Sequence, residues 1–368
     1  MKIIKNKKLY NKINIDPILM LLLTILIGFG LIVMESASGQ DPILMKKQII
    51  RVLLSVTAMM IVAQINPDRL KAWAFPIYIV GVLSLICVAL FGEVNKGAQR
   101  WLYIGTIKFQ PSEIMKVVFP ICISWYISKQ SMPINTKNFI IGCVIMAIPA
   151  ILIGRQPDLG TSILMTSSGL FVLFMSGLSW GVIATGIISL IPITYVLWEY
   201  LMHDYQRQRV LTLFDPEADP LGSSYHIIQS KIAIGSGGLS GKGWMKGTQS
   251  QLDFLPERHT DFVFAVIGEE FGFIGAVLLL AAYMAIIIRG IVIAINANNN
   301  FLRLLAGSIT MTFFVYIFVN IAMVSGTIPV VGVPLPLISY GGTSMITIMI
   351  GFGILMSISS RKKWSLNE

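Results

Sequence analysis

Runs of about 18 or more apolar residues recur along the chain, and each is long enough to cross a bilayer as a helix. That fixes the class: an all-α polytopic membrane protein, with one membrane domain over 1–368. The composition agrees, since 55% of residues are hydrophobic and 12% charged, against roughly 25% charged in soluble domains. About ten transmembrane helices are expected, near 17–35, 47–65, 73–91, 111–128, 138–154, 161–178, 180–200, 262–288, 303–325 and 340–359. The 161–200 stretch must hold two spans joined by a tight turn near Gly177 to Trp180, because a single span there would invert everything after it.

Charge sets the orientation. Lys2, Lys5, Lys7, Lys8 and Lys12 precede the first apolar run, with no small-residue cleavage site, so 1–16 reads as the cytoplasmic basic flank of a retained span. Arg69, Lys71, Lys129, Lys137, Arg289 and Arg303 fall in the even connections, and Arg361, Lys362 and Lys363 in a tail at 360–368. All would then be cytoplasmic. The odd connections, 36–46, 92–110, 155–160, 201–261 and 326–339, would face outside. They carry Lys96, Arg100, Lys108, Arg155, Arg207, Arg209, Lys231, Lys242, Lys246 and Arg258, against the usual bias. Either these are scattered solvated charges or they serve an anionic ligand on that face. The net charge of +10 is too dispersed to indicate nucleic acid. Cys87, Cys122 and Cys143 all lie in apolar runs and suggest neither a disulfide framework nor a zinc site. His203, His226 and His259 lack metal-ligand spacing.

The loop 201–261, between helices 7 and 8, is too apolar for disorder and should pack as short amphipathic helices. Its glycine-rich run 235–243 fails as a Walker motif: Ser236 replaces the first glycine, and Gly243 the magnesium-binding hydroxyl. It can form a turn or an anion nest. Gly268 and Gly272, four apart, would give the eighth span a close-packing face, and Glu269 and Glu270 should point at protein or water.

The same loop ends in three carboxylates spaced by four, Asp253, Glu257 and Asp261, with Pro256 bending the approach. Asp261 stands at the head of the eighth span. It could cap that helix, or serve as a base kept ionised by the helix N-terminus and tuned by partial desolvation. Glu113 and Lys116 share a helix face, as a structural ion pair or as substrate contacts. Asp158, after Pro157, could cap the sixth span or be recruited to a site. Arg100 and Lys108 suit a diphosphate. A rigid Pro/Gly run closes the last outer loop, from Pro329 to Ser344, and such backbone is tolerated at membrane depth only inside protein or along a cavity.

Several motifs, in order along nearly the whole chain, resemble the SEDS family of shape, elongation, division and sporulation proteins. They are Gly97-Ala-Gln-Arg-Trp-Leu, Phe109-Gln-Pro-Ser-Glu, Gln156-Pro-Asp-Leu-Gly-Thr, Ala233-Ile-Gly-Ser-Gly-Gly-Leu, Gly247-Thr-Gln-Ser-Gln-Leu-Asp-Phe-Leu-Pro-Glu-Arg-His-Thr-Asp-Phe and Pro334-Leu-Pro-Leu-Ile-Ser-Tyr-Gly-Gly. The Glu-Arg-His-Thr-Asp form is similar to the RodA (elongation) branch. Asp253 departs from the pattern, many relatives having Glu there. The resemblance implies a ten-span peptidoglycan glycosyltransferase of the bacterial cytoplasmic membrane, polymerising lipid II at the outer face. It also implies a class B penicillin-binding protein as partner, beside other elongation-complex membrane proteins. The family's catalytic acid falls on Asp261 and its basic substrate-binding groups on Arg100 and Lys108. Glu113, Lys116, Asp158, Asp253, Glu257, Arg258, His259 and Thr260 complete the expected substrate contacts. A divalent cation, magnesium or manganese, could sit near Asp261 and Asp253; the sequence does not fix one. A lipid II flippase and a non-catalytic cell-wall scaffold are the competing readings; a transporter would place its ionisable groups near the bilayer midplane.

Overall fold

The computed structural model describes residues 14–95, 98–104, 107–156, 158–178, 180–202, 204–215, 225–252, 254–255 and 257–360. The lysines of the N-terminal flank, Lys96, His203, Asp253, Pro256 and the basic tail lie outside them. Helices α1 (Pro17–Ala37), α2 (Pro42–Gln64), α3 (Pro67–Phe91), α4 (Pro111–Ser128), α5 (Thr136–Arg155), α6 (Leu159–Met175) and α7 (Trp180–Val196) follow in order. The long 201–261 loop then carries α8 (Asp204–Phe214), α9 (Tyr225–Ser236) and α10 (Thr248–Gln251), and α11 (Val263–Ile295), α12 (Asn300–Val324) and α13 (Gly342–Ser359) close the bundle. Among the described residues, α1, α2, α3, α5, α11, α12 and α13 are long and apolar enough to cross a membrane. The other expected spans fall on α4, α6 and α7, of 18, 17 and 17 residues. The chain is a multi-pass membrane protein.

The helix starts follow from local chemistry. Asp16, Asp41 and Asn66 each precede a proline, and each side chain accepts from a first-turn amide: Leu19 at 3.0 Å, Ile43 at 2.8 Å and Asp68 at 2.9 Å. Proline at the first helical position gives up no needed donor, and its fixed φ suits the helix. Asp16, 2% exposed, also accepts from Arg289 Nε at 3.0 Å and from the Ser359 hydroxyl, joining α1, α11 and α13. α13 lies along α2, where Gly353 lets the backbones touch; a β-carbon there would come 2.5 Å from the Met59 carbonyl oxygen.

Two features depart from the sequence reading. Within the all-α reading, the 92–110 loop holds a three-stranded antiparallel sheet, β1 (Glu93–Asn95), β2 (Ala98–Ile104) and β3 (Ile107–Phe109). And Gly272 is not part of a smooth packing face. It has φ 64° and ψ −160° and breaks α11. The glycine-rich run pairs with the break: Lys242 and Gly243 donate amides to the Glu269 and Glu270 carbonyls at 3.0 Å each, while Phe273 and Ile274 donate to Gly238 and Leu239 at 2.9 and 3.1 Å. A β-carbon on Gly272 would lie 2.3 Å from the Gly241 nitrogen. These glycines serve the close approach of two backbones, where a phosphate nest had been the other reading. Glu269 and Glu270 are buried as expected, Glu269 accepting from Lys242 Nζ at 2.8 Å and Glu270 from Ser36 Oγ at 2.5 Å.

Candidate active site

The segment 257–262 forms a tight turn ahead of α11. The Glu257 carbonyl accepts from the Thr260 amide at 3.0 Å and the Phe262 amide at 3.3 Å, and Glu257, with φ 52°, uses the left-handed region to make the turn. Thr260 Oγ1 donates to Glu257 Oε2 at 2.8 Å. The Pro/Gly-rich loop before α13 holds this turn from the other side: Ser339 Oγ donates to the Thr260 carbonyl at 2.5 Å, and the Tyr340 amide to the His259 carbonyl at 2.8 Å. From α12, Asn320 Nδ2 donates to the carbonyls of Asp261 and Val333 at 2.9 and 2.7 Å. The Pro/Gly run is therefore buried against protein at the site, as its composition suggested.

Asp261 does not cap α11. The capping position is Phe262, with no side-chain cap bond, so the Asp261 carboxylate is left for other work. It is partly buried. Burial pushes its carboxyl up to about 6, the nearby Glu257 carboxylate adds to the rise, and the Arg209 guanidinium opposes it. An acid tuned to this range is ionised at neutral pH yet basic enough to take a proton in a transition state. Arg209, exposed on α8, also donates Nη1 to the Val330 carbonyl at 2.7 Å. The sequence marked Arg209 only as one outer cation among many. His226, on α9, stacks on Phe262 with ring centroids 5.6 Å apart. Burial lowers both His226 and His259; Glu257 opposes this, while Arg209 adds to it at His226 and Arg258 at His259. Arg258 lies against the turn at Gly39.

The second group of expected residues sits across the 331–333 run. Arg100, on β2, donates Nε to the Gln156 carbonyl at 3.3 Å. Lys108 lies on β3, its backbone in register with Tyr103, and its side chain is outside the described residues. Asp158 caps α6, accepting from the Thr161 amide at 3.3 Å, and also takes Gln110 Nε2 at 3.3 Å. A β-carbon on Gly160 would meet the Val331 carbonyl oxygen at 2.9 Å, and one on Gly332 would stand 3.5 Å from Asp261 Oδ2. The turn that anchors Arg100 and the carboxylate of Asp261 thus flank the same three residues.

Glu113 and Lys116 form the expected pair at 2.6 Å, with side chains 10% and 8% exposed. Thr347 Oγ1 donates to Glu113 at 3.3 Å, and Lys116 Nζ lies 5.4 Å from the Tyr316 ring centroid. Lys116, Tyr316 and Thr347 line the polar part of a small pocket of about 40 Å³ between α4, α12 and α13, continued by Phe313, Ile348 and Phe352. For a metal, Asp253 lies outside the described residues, and no group of three or more His, Cys, Asp or Glu side chains that could hold an ion occurs among the described ones.

A multi-pass helical bundle with a helical loop packed on it, an elevated acid just before α11 and the Arg100 guanidinium across a short run make a candidate group-transfer site. The family model for the cell cycle proteins FtsW, RodA and SpoVE matches residues 17–364. The chain belongs to that family. It is 52% identical over 359 residues to the peptidoglycan glycosyltransferase MrdB of Escherichia coli K12, covering 97% of each, and 32% identical to the probable peptidoglycan glycosyltransferase FtsW of Geobacter metallireducens, covering 95% of each. Its structure is similar to a chain of a peptidoglycan synthase complex that coordinates polymerization and crosslinking (TM-score 0.81, 30% identity, 94% of this chain and 97% of that one). It is also similar to the rod shape determining protein RodA of Thermus thermophilus (TM-score 0.73, 25% identity, 96% and 99%).

Proposed function

We propose that this chain is a peptidoglycan glycosyltransferase that polymerises lipid II on the outer face of the bacterial cytoplasmic membrane during elongation, with ten crossings and Asp261 as general base. The observation that carries the reading is the state of Asp261: partly buried, freed from helix capping, and held near 6 by burial and Glu257. The half-identical glycosyltransferase relative over nearly the full chain supports the activity.

In the reaction the acceptor sugar's 4-hydroxyl oxygen attacks the donor's anomeric carbon. The new O–C bond forms as the bond from that carbon to the diphosphate oxygen breaks, and configuration inverts. Asp261 takes the hydroxyl proton. The electron pair leaves on the diphosphate, whose charge Arg100 and Lys108 would stabilise. One base suffices for a single displacement, unlike the two carboxylates of a retaining hydrolase. Glu257 keeps Asp261 basic, Arg209 restrains that rise, and Thr260, His259 and Arg258 hold the turn. Glu113 and Lys116 would meet substrate at the membrane pocket. The expected cation seat, Asp261 with Asp253, includes a residue outside the described ones, and no step here depends on a metal. A class B penicillin-binding protein is the proposed partner, consistent with the likeness to a synthase complex.

The deciding experiment supplies labelled lipid II to the purified protein with its transpeptidase partner. Glycan polymer from wild type and none from a folded Asp261→Asn variant is the expected result. Movement of lipid II across vesicles without polymer would instead point to a transporter.

A further inference from the structure

Polar groups that the site above does not use converge on the head of α13. Gln48 and Arg51 are three apart on α2 and share a face. Gln48 is 1% exposed; its Nε2 donates to the Ser339 carbonyl at 3.4 Å, and its Oε1 has no partner. The Arg51 guanidinium lies over the Tyr340 ring, 3.9 Å from the centroid, with Nη1 buried and unpartnered. Arg51 Nε comes within 3.0 Å of where a β-carbon on Gly342 would stand. Gly342 opens α13, whose N-terminus has no side-chain cap. In the same first turn Ser344, 8% exposed, has an Oγ that lies near the Tyr316 hydroxyl without reaching hydrogen-bond geometry.

A buried guanidinium nitrogen left unpaired is costly, and a helix N-terminus adds free amides and partial positive charge. Together they call for an oxygen anion. The free Gln48 Oε1 calls for a donor, such as a sugar hydroxyl or an amide. We propose that Arg51, Gln48 and the first turn of α13 form a second sugar-phosphate subsite, one that holds the diphosphate of the acceptor lipid. This rests on the glycosyl-transfer reading, in which both reacting sugars carry a prenyl diphosphate. Arg100 and Lys108 serve the diphosphate that leaves; the acceptor's diphosphate stays attached and needs its own seat. The location suits it. Tyr340, beneath Arg51, donates its amide to His259 and meets the His259 ring edge-on at 5.7 Å, two residues before Asp261.

Because the acceptor's diphosphate does not change in the reaction, Arg51 acts on binding rather than on the chemical step. The test uses the full-length protein with its transpeptidase partner, measuring polymer against lipid II concentration and inhibition by undecaprenyl diphosphate. Arg51→Gln should raise KM roughly tenfold or more and weaken the inhibitor in the same proportion, with kcat little altered, and Arg51→Lys should recover part of the loss. An unchanged KM and inhibition constant in the folded variant would overturn the subsite. So would a loss confined to kcat, which would mean that Arg51 acts through Tyr340 on the catalytic turn. Should both Arg51 variants fail to fold, Ser344→Ala and Gln48→Met carry the test, and wild-type KM in both overturns it. Wild-type protein that makes no polymer counts against glycosyl transfer itself. Direct binding of undecaprenyl diphosphate, weakened by Arg51→Gln or unaffected by it, then still decides the subsite.

Discussion

Asn320, wholly buried on α12, holds the backbone carbonyl of Asp261 at 2.9 Å. The same side-chain nitrogen reaches the Val333 carbonyl at 2.7 Å, so one amide fixes the distance between the turn that carries Asp261 and the loop facing it. Replacing Asn320 by Leu should leave two carbonyls without their donor, at about 1–3 kcal/mol each where water cannot reach. The polymerisation rate should fall at least tenfold, with KM little changed, because the acid moves while the substrate contacts remain. Melting temperature and steady-state kinetics on the one variant separate the two effects.

The pH profile reports on Asp261 itself. Burial and Glu257 raise its carboxyl to about 6, and a base works only when deprotonated. Turnover should therefore climb about tenfold between pH 5 and pH 7 and then level off. Glu257→Gln removes a raising influence, so the midpoint should move to lower pH. A midpoint that stays put, or moves up, would refute the electrostatic account.

At the end of α11 away from Asp261, Asp16 tests stability apart from catalysis. Burial alone would raise its carboxyl, but the hydrogen bonds from Arg289, Ser359 and the Leu19 amide outweigh that and hold it below 3.8. A carboxyl depressed in the folded state lends stability above its unfolded value, and loses it as pH falls through the folded one. Asp16→Asn should cost about 3 kcal/mol at neutral pH by leaving Arg289 without its anion, and little at strongly acid pH. Unfolding in detergent across that range is the measurement.

Gly272→Ala should destabilise by about 2 kcal/mol or more, since its β-carbon meets the Gly241 nitrogen at 2.3 Å and its φ is 64°. Gly28→Ala, where a β-carbon meets nothing within 4 Å, is the control and should change little. Comparable melting temperatures for the two would mean that the break tolerates a side chain.

Lys116→Met strands a buried Glu113 carboxylate, at about 3–5 kcal/mol. Adding Glu113→Leu should restore most of that stability. Polymerisation should not return with it, because Lys116 also lines the pocket. Full activity in the double variant would make the pair a packing element only.

What could be read from the sequence was mostly local. The Asp16-Pro17, Asp41-Pro42 and Asn66-Pro67 pairs announce helix starts, because cap and proline act within one turn. Glu113 and Lys116 are three apart on a helix, so their pairing follows from periodicity. Asp261 stood out because its neighbours are polar where lipid begins. Long-range partners were not legible. Asn320 is a lone amide in an apolar helix, and nothing near it in the chain points to Asp261. Gly272 reads as a small residue in a packing pattern until a second backbone, thirty residues upstream, takes up the freed hydrogen bonds. The sheet at 92–110 uses strands of three and seven residues, too short for alternation to separate them from loop. Arg209 acquires meaning only when α8 folds back toward the turn.

The break at Gly272 has a mechanical consequence. Residues 263–271, the stub that leads away from Asp261, take two backbone hydrogen bonds from the strap at 238–243, and Phe273 and Ile274, just past the break, give two more to it before the rest of α11 runs on. Asp261 is thus mounted on a short bracket shared with the folded loop that precedes it. A force applied to that loop reaches the carboxylate without first having to tilt a 33-residue rod.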